Sequence, residues 1–308
     1  MLYPLKFKKI LKNKIWGDES WEISGLQENV SVVKNGFLKG NSINELIEIY
    51  MDELVGDSVY KKFGLEFPLL IKFINAEEKL SIQVHPNDKI AKERHQSFGK
   101  NELWYIMRAK KNAKLISGFS KEIDKKIFLE NIENKTLDNI LNYESVKEDD
   151  VFFIPSGRVH NIGEGILLAE IQQSSDITYR IYDFDRKDSN EKPRELHTEL
   201  AKDAIDYKKY ESYKTDYKII KNKTSKIINT NYFKTNILYF DKKIEKNYNS
   251  IDSFIIFICL KNNFKIIYDN DKKVFIEEGE TVLIPASLKN IDLIPLKKME
   301  CKIIEVFN

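Results

Sequence analysis

Residues 80–86 constrain the fold more than any other stretch of the chain. Leu80, Ile82 and Val84 alternate with Ser81, Gln83 and His85, the period-two signature of a half-buried strand. All the polar members fall on one face, and Pro86 ends the pairing. Gln83 and His85 therefore project side by side, roughly 7 Å apart along the strand. A face carrying Gln and His rather than Lys and Glu reads as the wall of a polar cavity, not as a solvated surface.

The neighbouring sequence supplies more strands of this kind. Pro68 to Ile74 and Leu103 to Met107 are strongly apolar, Val151 to Ile154 runs into the turn Pro155-Ser156-Gly157, and Ile166 to Ile171 returns. Residues 1–40 read as short strands and turns, with Trp16-Gly17, Ser24-Gly25 and Asn35-Gly36 as punctuation. Helices are expected over Ser42 to Tyr50, which opens with a capping-box pattern, over Ile90 to His95, and over Glu195 to Tyr207. Lys121 to Leu141 has helical periodicity and reads as a helical insertion between strands. The Lys- and Tyr-rich segment Lys208 to Lys226 is the best linker candidate.

Glu148 to Pro155 resembles Gly279 to Pro285, and five residues past each proline stand His160 and Asn290. A duplicated all-β unit, with a polar site kept only in the first copy, accounts for this. Short strands with regularly spaced turns favour a jelly roll or barrel over an α/β sheet.

Bulk properties narrow the function classes. The 308 residues suffice for one large or two ordinary domains, and a net charge of +2 with 32% charged residues argues against a general polyanion binder. No basic block with interleaved aromatics stands out, so no nucleic-acid partner is expected. The longest apolar run, Phe254 to Leu260, is far too short to span a bilayer, and the first residues lack the apolar core of a signal peptide. Cys259 and Cys301 lie in apolar runs without metal-binding spacing and read as buried thiols of a reducing compartment. A soluble, cytoplasmic protein is expected.

Were Gln83, His85, Glu102 and His160 to meet inside a barrel, two imidazoles, a carboxylate and an amide oxygen would suit a divalent ion such as zinc, with open positions for water or substrate. Taken singly, these residues do not require it. A lone Gln on a strand is ordinarily just hydrogen-bonded, and a His after a Pro-Ser-Gly turn is more often structural. His95 and His197, among charges on expected helices, are given structural roles.

The order of four motifs is more specific. Leu80 to Asn87 (LSIQVHPN), Gly99 to Tyr105 (GKNELWY), Ile154 to His160 (IPSGRVH) and Gln172 to Arg180 (QQSSDITYR) resemble the type I mannose-6-phosphate isomerases, and the short bacterial form above all. The likeness covers most of the first 200 residues. Trp16-Gly17 and Arg194 to His197 are minor matches, and the C-terminal third matches only in outline.

The resemblance implies a mainly β fold of tandem cupin-type jelly-roll barrels. Residues 1–207 would form a catalytic cupin domain with a helical insertion at about 119–142, and residues 208–308 a degenerate cupin-like β domain. It implies one zinc ion per chain, held by Gln83, His85, Glu102 and His160. Arg180 matches the family's catalytic arginine, and Lys100 an active-site lysine suited to carrying a proton. Lys72 and Asp176 match substrate-binding positions. The implied reaction interconverts mannose 6-phosphate and fructose 6-phosphate through a cis-enediolate, with a small sugar phosphate as partner. The competing readings are another metal-dependent cupin enzyme, such as an iron oxygenase, and a non-catalytic sugar-phosphate-binding cupin. The former is disfavoured by Gln83 and the two lysines. Against the latter stand Arg180 and Lys100, retained beside all four ligand candidates.

Overall fold

A computed structural model describes residues 1–187, 191–297 and 299–308. The chain is mainly β. Strands β1 (Leu5–Lys6), β2 (Ile10–Lys14) and β3 (Gly17–Ile23) precede helices α1 (Ile43–Val55) and α2 (Asp57–Phe63). Then come β4 (Leu69–Ala76), β5 (Ile82–Val84), α3 (Asp88–His95), β6 (Glu102–Ala109), β7 (Lys114–Phe119) and α4 (Lys125–Glu133). They are followed by β8 (Leu141–Ser145), β9 (Val151–Ile154), β10 (His160–Asn161), β11 (Ile166–Gln173), β12 (Tyr179–Tyr182) and α5 (Thr198–Ala204). The rest is strands: β13 (Thr224–Asn229), β14 (Lys234–Phe240), β15 (Ile244–Asn247), β16 (Ile255–Lys261) and β17 (Phe264–Tyr268). The last are β18 (Lys272–Ile276), β19 (Thr281–Ile284), β20 (Asn290–Pro295) and β21 (Cys301–Phe307). Among the described residues no helix is long and apolar enough to cross a membrane.

Helix ends follow local capping chemistry. The Ser42 hydroxyl accepts from the Glu45 amide at 3.3 Å and the Glu45 carboxylate accepts from the Ser42 amide at 2.7 Å, the reciprocal pair that starts α1. Lys121 to Leu141 is not one helix. Asp124 caps the Ile127 amide at 2.8 Å, so α4 starts there. The chain turns left-handed at Lys135 (φ 55°), leaving only a short 3₁₀ turn over Leu137–Asn139. The helix expected over Glu195 to Tyr207 is also shorter, Thr198–Ala204, with His197 as its N-cap residue.

Two compact units result. One comprises Leu11–Trp21 and Leu69–Thr215; the other comprises Met1–Ile10, Glu22–Pro68 and Asp216–Asn308. In the first, the open sheet β2-β3-β4-β11-β6-β9 packs on the open sheet β12-β5-β10-β7-β8. Ile74, Trp104, Ile106, Leu168 and Phe152 of one meet Leu115 of the other and the nearby Leu80 and Ile162, forming a shared apolar core. Phe128, Ala201 and Ala204 cover the outer face of the second sheet, where Ile82 and Val84 point.

The second unit repeats this plan: β19-β16-β21-β14-β13 has the strand succession of β9-β6-β11-β4-β3, and β15-β20-β17-β18 that of β5-β10-β7-β8. Cross-strand register gives the residue equivalences. Glu170 lies between Lys72 and Trp104, as Glu305 lies between Asn236 and Phe257. Gln83 opposes His160, and Lys246 opposes Ile291. Counting from the proline reaches Asn290, which opposes Asn247 of β15, and the next residue, Ile291, opposes Lys246. Gly157 takes φ +88°, whereas no residue of 285–290 is left-handed. Loops of equal length therefore deliver opposite faces: His160 is buried, while Asn290 is exposed and Ile291 faces the core.

Beside Glu305 the second unit carries an ammonium. Lys246 Nζ lies 2.7 Å from Glu305 Oε1, Tyr248 Oη donates to the same oxygen at 2.7 Å, and Asn236 donates to the other at 2.8 Å. Burial, reinforced by the Glu305 carboxylate, holds the Tyr248 hydroxyl well above its ordinary pKa of 10. A raised acid stays neutral when folded but ionises once unfolded, so its stability contribution is intact below pH 10 and lost as pH rises above it. Wild-type unfolding free energy should therefore fall more steeply above pH 10 than that of Tyr248→Phe, by up to about 1.4 kcal/mol per pH unit. Denaturant melts at stepped alkaline pH measure this, and equal slopes would contradict it.

Candidate metal centre and active site

Strand register brings three of the sequence candidates into one row. Gln83 on β5 lies opposite His160 of β10 on one side and Arg180 of β12 on the other, and directly opposed residues share a face. His85 follows two residues after Gln83, on that same face. Glu102 opens β6 in the facing sheet and reaches both imidazoles: Oε1 lies 3.2 Å from His85 Nε2, and Oε2 lies 3.8 Å from His160 Nε2. His85, Glu102 and His160 are all buried, and their ligand atoms lie within 4.8 Å of one another. Gln83, half-buried, joins them by register.

Each imidazole is set by a backbone carbonyl. His85 Nδ1 is 2.8 Å from the Ile177 oxygen, and His160 Nδ1 is 2.8 Å from the Arg158 oxygen. A carbonyl can only accept, so both Nδ1 atoms carry the proton and both Nε2 atoms turn lone pairs toward Glu102. Burial, then the Lys100 ammonium, pushes the pKa of His85 down to about 3, and burial lowers that of His160. Burial opposes ionisation of Glu102, but the Lys100 ammonium holds the carboxyl well below its usual range.

The donor set thus consists of two neutral imidazoles and a carboxylate. Among the described residues both Glu102 oxygens and His160 Nε2 are buried without a hydrogen-bond partner, and only Glu102 Oε1 has an ammonium, that of Lys100, close by. Buried acceptors aimed at one another are costly unless a cation lies among them, and second-site hydrogen bonds of this kind orient metal-ligating histidines. The residues fit a divalent metal ion.

Lys100 belongs to the same cluster. Its Nζ is 2.9 Å from Glu102 Oε1, outside hydrogen-bond alignment, and 3.3 Å from His85 Nε2. Arg180 is braced by Nη1 donating to the Glu195 carbonyl at 2.8 Å, while its Nε is buried without a partner. Burial, then the neighbouring Arg194 charge, lowers its pKa. Lys72 sits further along the facing sheet, 3.4 Å from Glu170. Burial disfavours its ammonium, but Glu170, Glu19 and Asp176 outweigh that and raise its pKa. Asp176 is exposed, on the loop that supplies the Ile177 carbonyl.

Glu170 is the residue that motif reasoning passed over. Trp104 Nε1 donates to it at 2.8 Å, and burial together with the Glu102 charge raises its pKa. Its signal was present: a lone carboxylate inside the apolar run Ile166 to Ile171. Trp21, 1% exposed, was also missed; Lys12 Nζ lies 3.6 Å and Lys72 Nζ 4.8 Å from its ring centroid.

Comparisons with known proteins converge on one family. A family model for the catalytic domain of type I phosphomannose isomerase matches residues 10–103. The mannose-6-phosphate isomerase ManA of Bacillus subtilis is 40% identical over 223 residues, covering 66% of this chain and 68% of that protein. The putative mannose-6-phosphate isomerase YvyI of the same organism is 31% identical over 312 residues, covering 94% and 95%. The crystal structure of a Bacillus subtilis mannose 6-phosphate isomerase superposes with a TM-score of 0.89 at 29% identity, over 99% of each chain.

Proposed function

The chain belongs to the type I phosphomannose isomerases, and from this we propose that the cluster around Glu102 is where it interconverts mannose 6-phosphate and fructose 6-phosphate. The observation that carries the site is the pair of facing acceptors, Glu102 Oε2 and His160 Nε2, buried and without a hydrogen-bond partner among the described residues. Gln83, His85, Glu102 and His160 would hold one zinc ion, an assignment that suits imidazole nitrogen with carboxylate and amide oxygen. All four fall within the unit of Leu11–Trp21 and Leu69–Thr215, which we assign as the core of the catalytic cupin-type jelly-roll domain expected over 1–207, with a helical insertion over 119–142. Residues 208–308, with Lys246, Tyr248 and Glu305 on the inner face, would be the degenerate copy.

The reaction moves a proton from C2 of the open-chain aldose to C1, through a cis-enediolate. A bound divalent ion supplies positive charge that polarises the carbonyl and steadies the adjacent oxygens. Lys100, beside Glu102 and His85, is placed to carry the proton. The planar, permanently charged guanidinium of Arg180 would bind two oxygens of the enediolate or of the phosphate. Lys72 would bind substrate, its charge held in place by Glu170, and Asp176 would do so from the loop at the edge.

The test is a coupled assay of fructose 6-phosphate formed from mannose 6-phosphate, before and after chelation. Turnover should vanish with the metal and return on adding zinc. Full activity in protein shown by elemental analysis to be metal-free would overturn the metal assignment.

A further inference from the structure

The first part of the segment that reads as a linker is packed against the turn that leads into His160. The Arg158 side chain is 6% exposed, and its guanidinium lies 4.6 Å from the ring centroid of Tyr210 and 4.7 Å from that of Tyr213. Tyr213 is tied in turn: its Oη donates to the Phe119 carbonyl at 2.7 Å and accepts from the Phe119 amide at 3.2 Å. Its ring lies over Gly118, where a Cβ would come within 2.4 Å of it. Tyr210 Oη donates to Asp206, and the Asp206 amide donates to the Gly157 carbonyl at 2.8 Å. Residues 206–213 therefore grip the turn 155–160 from both its backbone and its one buried cation.

That turn holds the backbone of one ligand candidate and the imidazole of the other. The Gly157 amide donates to the His85 carbonyl at 2.9 Å, and the Arg158 carbonyl fixes the Nδ1 proton of His160 at 2.8 Å. We propose that Arg158, cradled by Tyr210 and Tyr213, is a positioning residue of the metal centre, fixing the turn whose carbonyl sets the tautomer and angle of His160. It touches neither substrate nor metal. The aromatic cradle suits a planar cation, which stacks on ring faces as a lysine ammonium does not.

This inference rests on the metal reading above, and the experiment separates the two. Zinc affinity of the full chain is measured by competition with a chromophoric chelator, for wild type, Arg158→Met and Arg158→Lys, and the zinc-induced rise in melting temperature is recorded for each. Outer partners of metal-bound histidines typically contribute about 10–100-fold in affinity. Arg158→Met, which keeps the carbonyl of residue 158 but frees the turn, should lose about tenfold, the lower end of that range, with a smaller zinc-induced rise, while KM for the sugar phosphate stays at its wild-type value. Arg158→Lys, the milder variant should Arg158→Met fail to fold, should not restore affinity. Wild-type affinity in either variant would overturn the proposal, as would an undiminished zinc-induced rise. A wild-type chain that takes up no zinc would instead overturn the metal reading itself.

Discussion

Replacing His160 with alanine is expected to empty the metal centre and stop isomerisation in one step. The substitution removes an Nε2 that is buried without a partner and faces Glu102. It leaves one imidazole and a carboxylate from opposite sheets as the only strong donors. Charge stabilisation at a Lewis-acid centre amounts to several kcal/mol, so kcat/KM should fall by more than about 10³-fold. Metal content by elemental analysis should drop to background in the same preparation. A variant that retains a full equivalent of metal would remove His160 from the ligand set.

Arg180→Ala should give the opposite split. Arg180 flanks Gln83 in register but donates to the Glu195 carbonyl, and its Nε has no protein partner. Its loss leaves every proposed metal donor in place while removing the planar charge aimed at the substrate. Metal content should match wild type, and kcat should fall about 10²–10³-fold, the usual effect of deleting a preorganised charge stabiliser. Arg180→Lys, which keeps the charge but not the fork, should recover little of this. Retained turnover in Arg180→Ala would exclude the residue from the chemistry.

What the sequence makes legible is whatever period and short motifs encode. Alternation over Leu80 to His85 places Gln83 and His85 on one face, and β5 realises it, with Ile82 and Val84 turned to the opposite apolar face. Glu102 and His160 are marked by short motifs, and the fold brings them to that face. The tautomers are not legible, because they depend on the carbonyls of Ile177 and Arg158, and His85 and Ile177 are 92 residues apart. The Asn290 count misleads for a related reason: one left-handed glycine, Gly157, reverses which residue faces inward, and composition alone does not report it. The long helix expected over Lys121 to Leu141 fails where Asp124 and Lys135 set the ends of a shorter one. The division between the two units, at Thr215 and Asp216, falls inside the Lys208 to Lys226 segment read as a linker, but the packing of its first part is not legible; Tyr213 is 6% exposed.

Lys246 has a consequence of its own. An ammonium tethered to the backbone cannot be stripped by a chelator or traded to a competing protein, so that half of the chain has no inorganic supply to maintain.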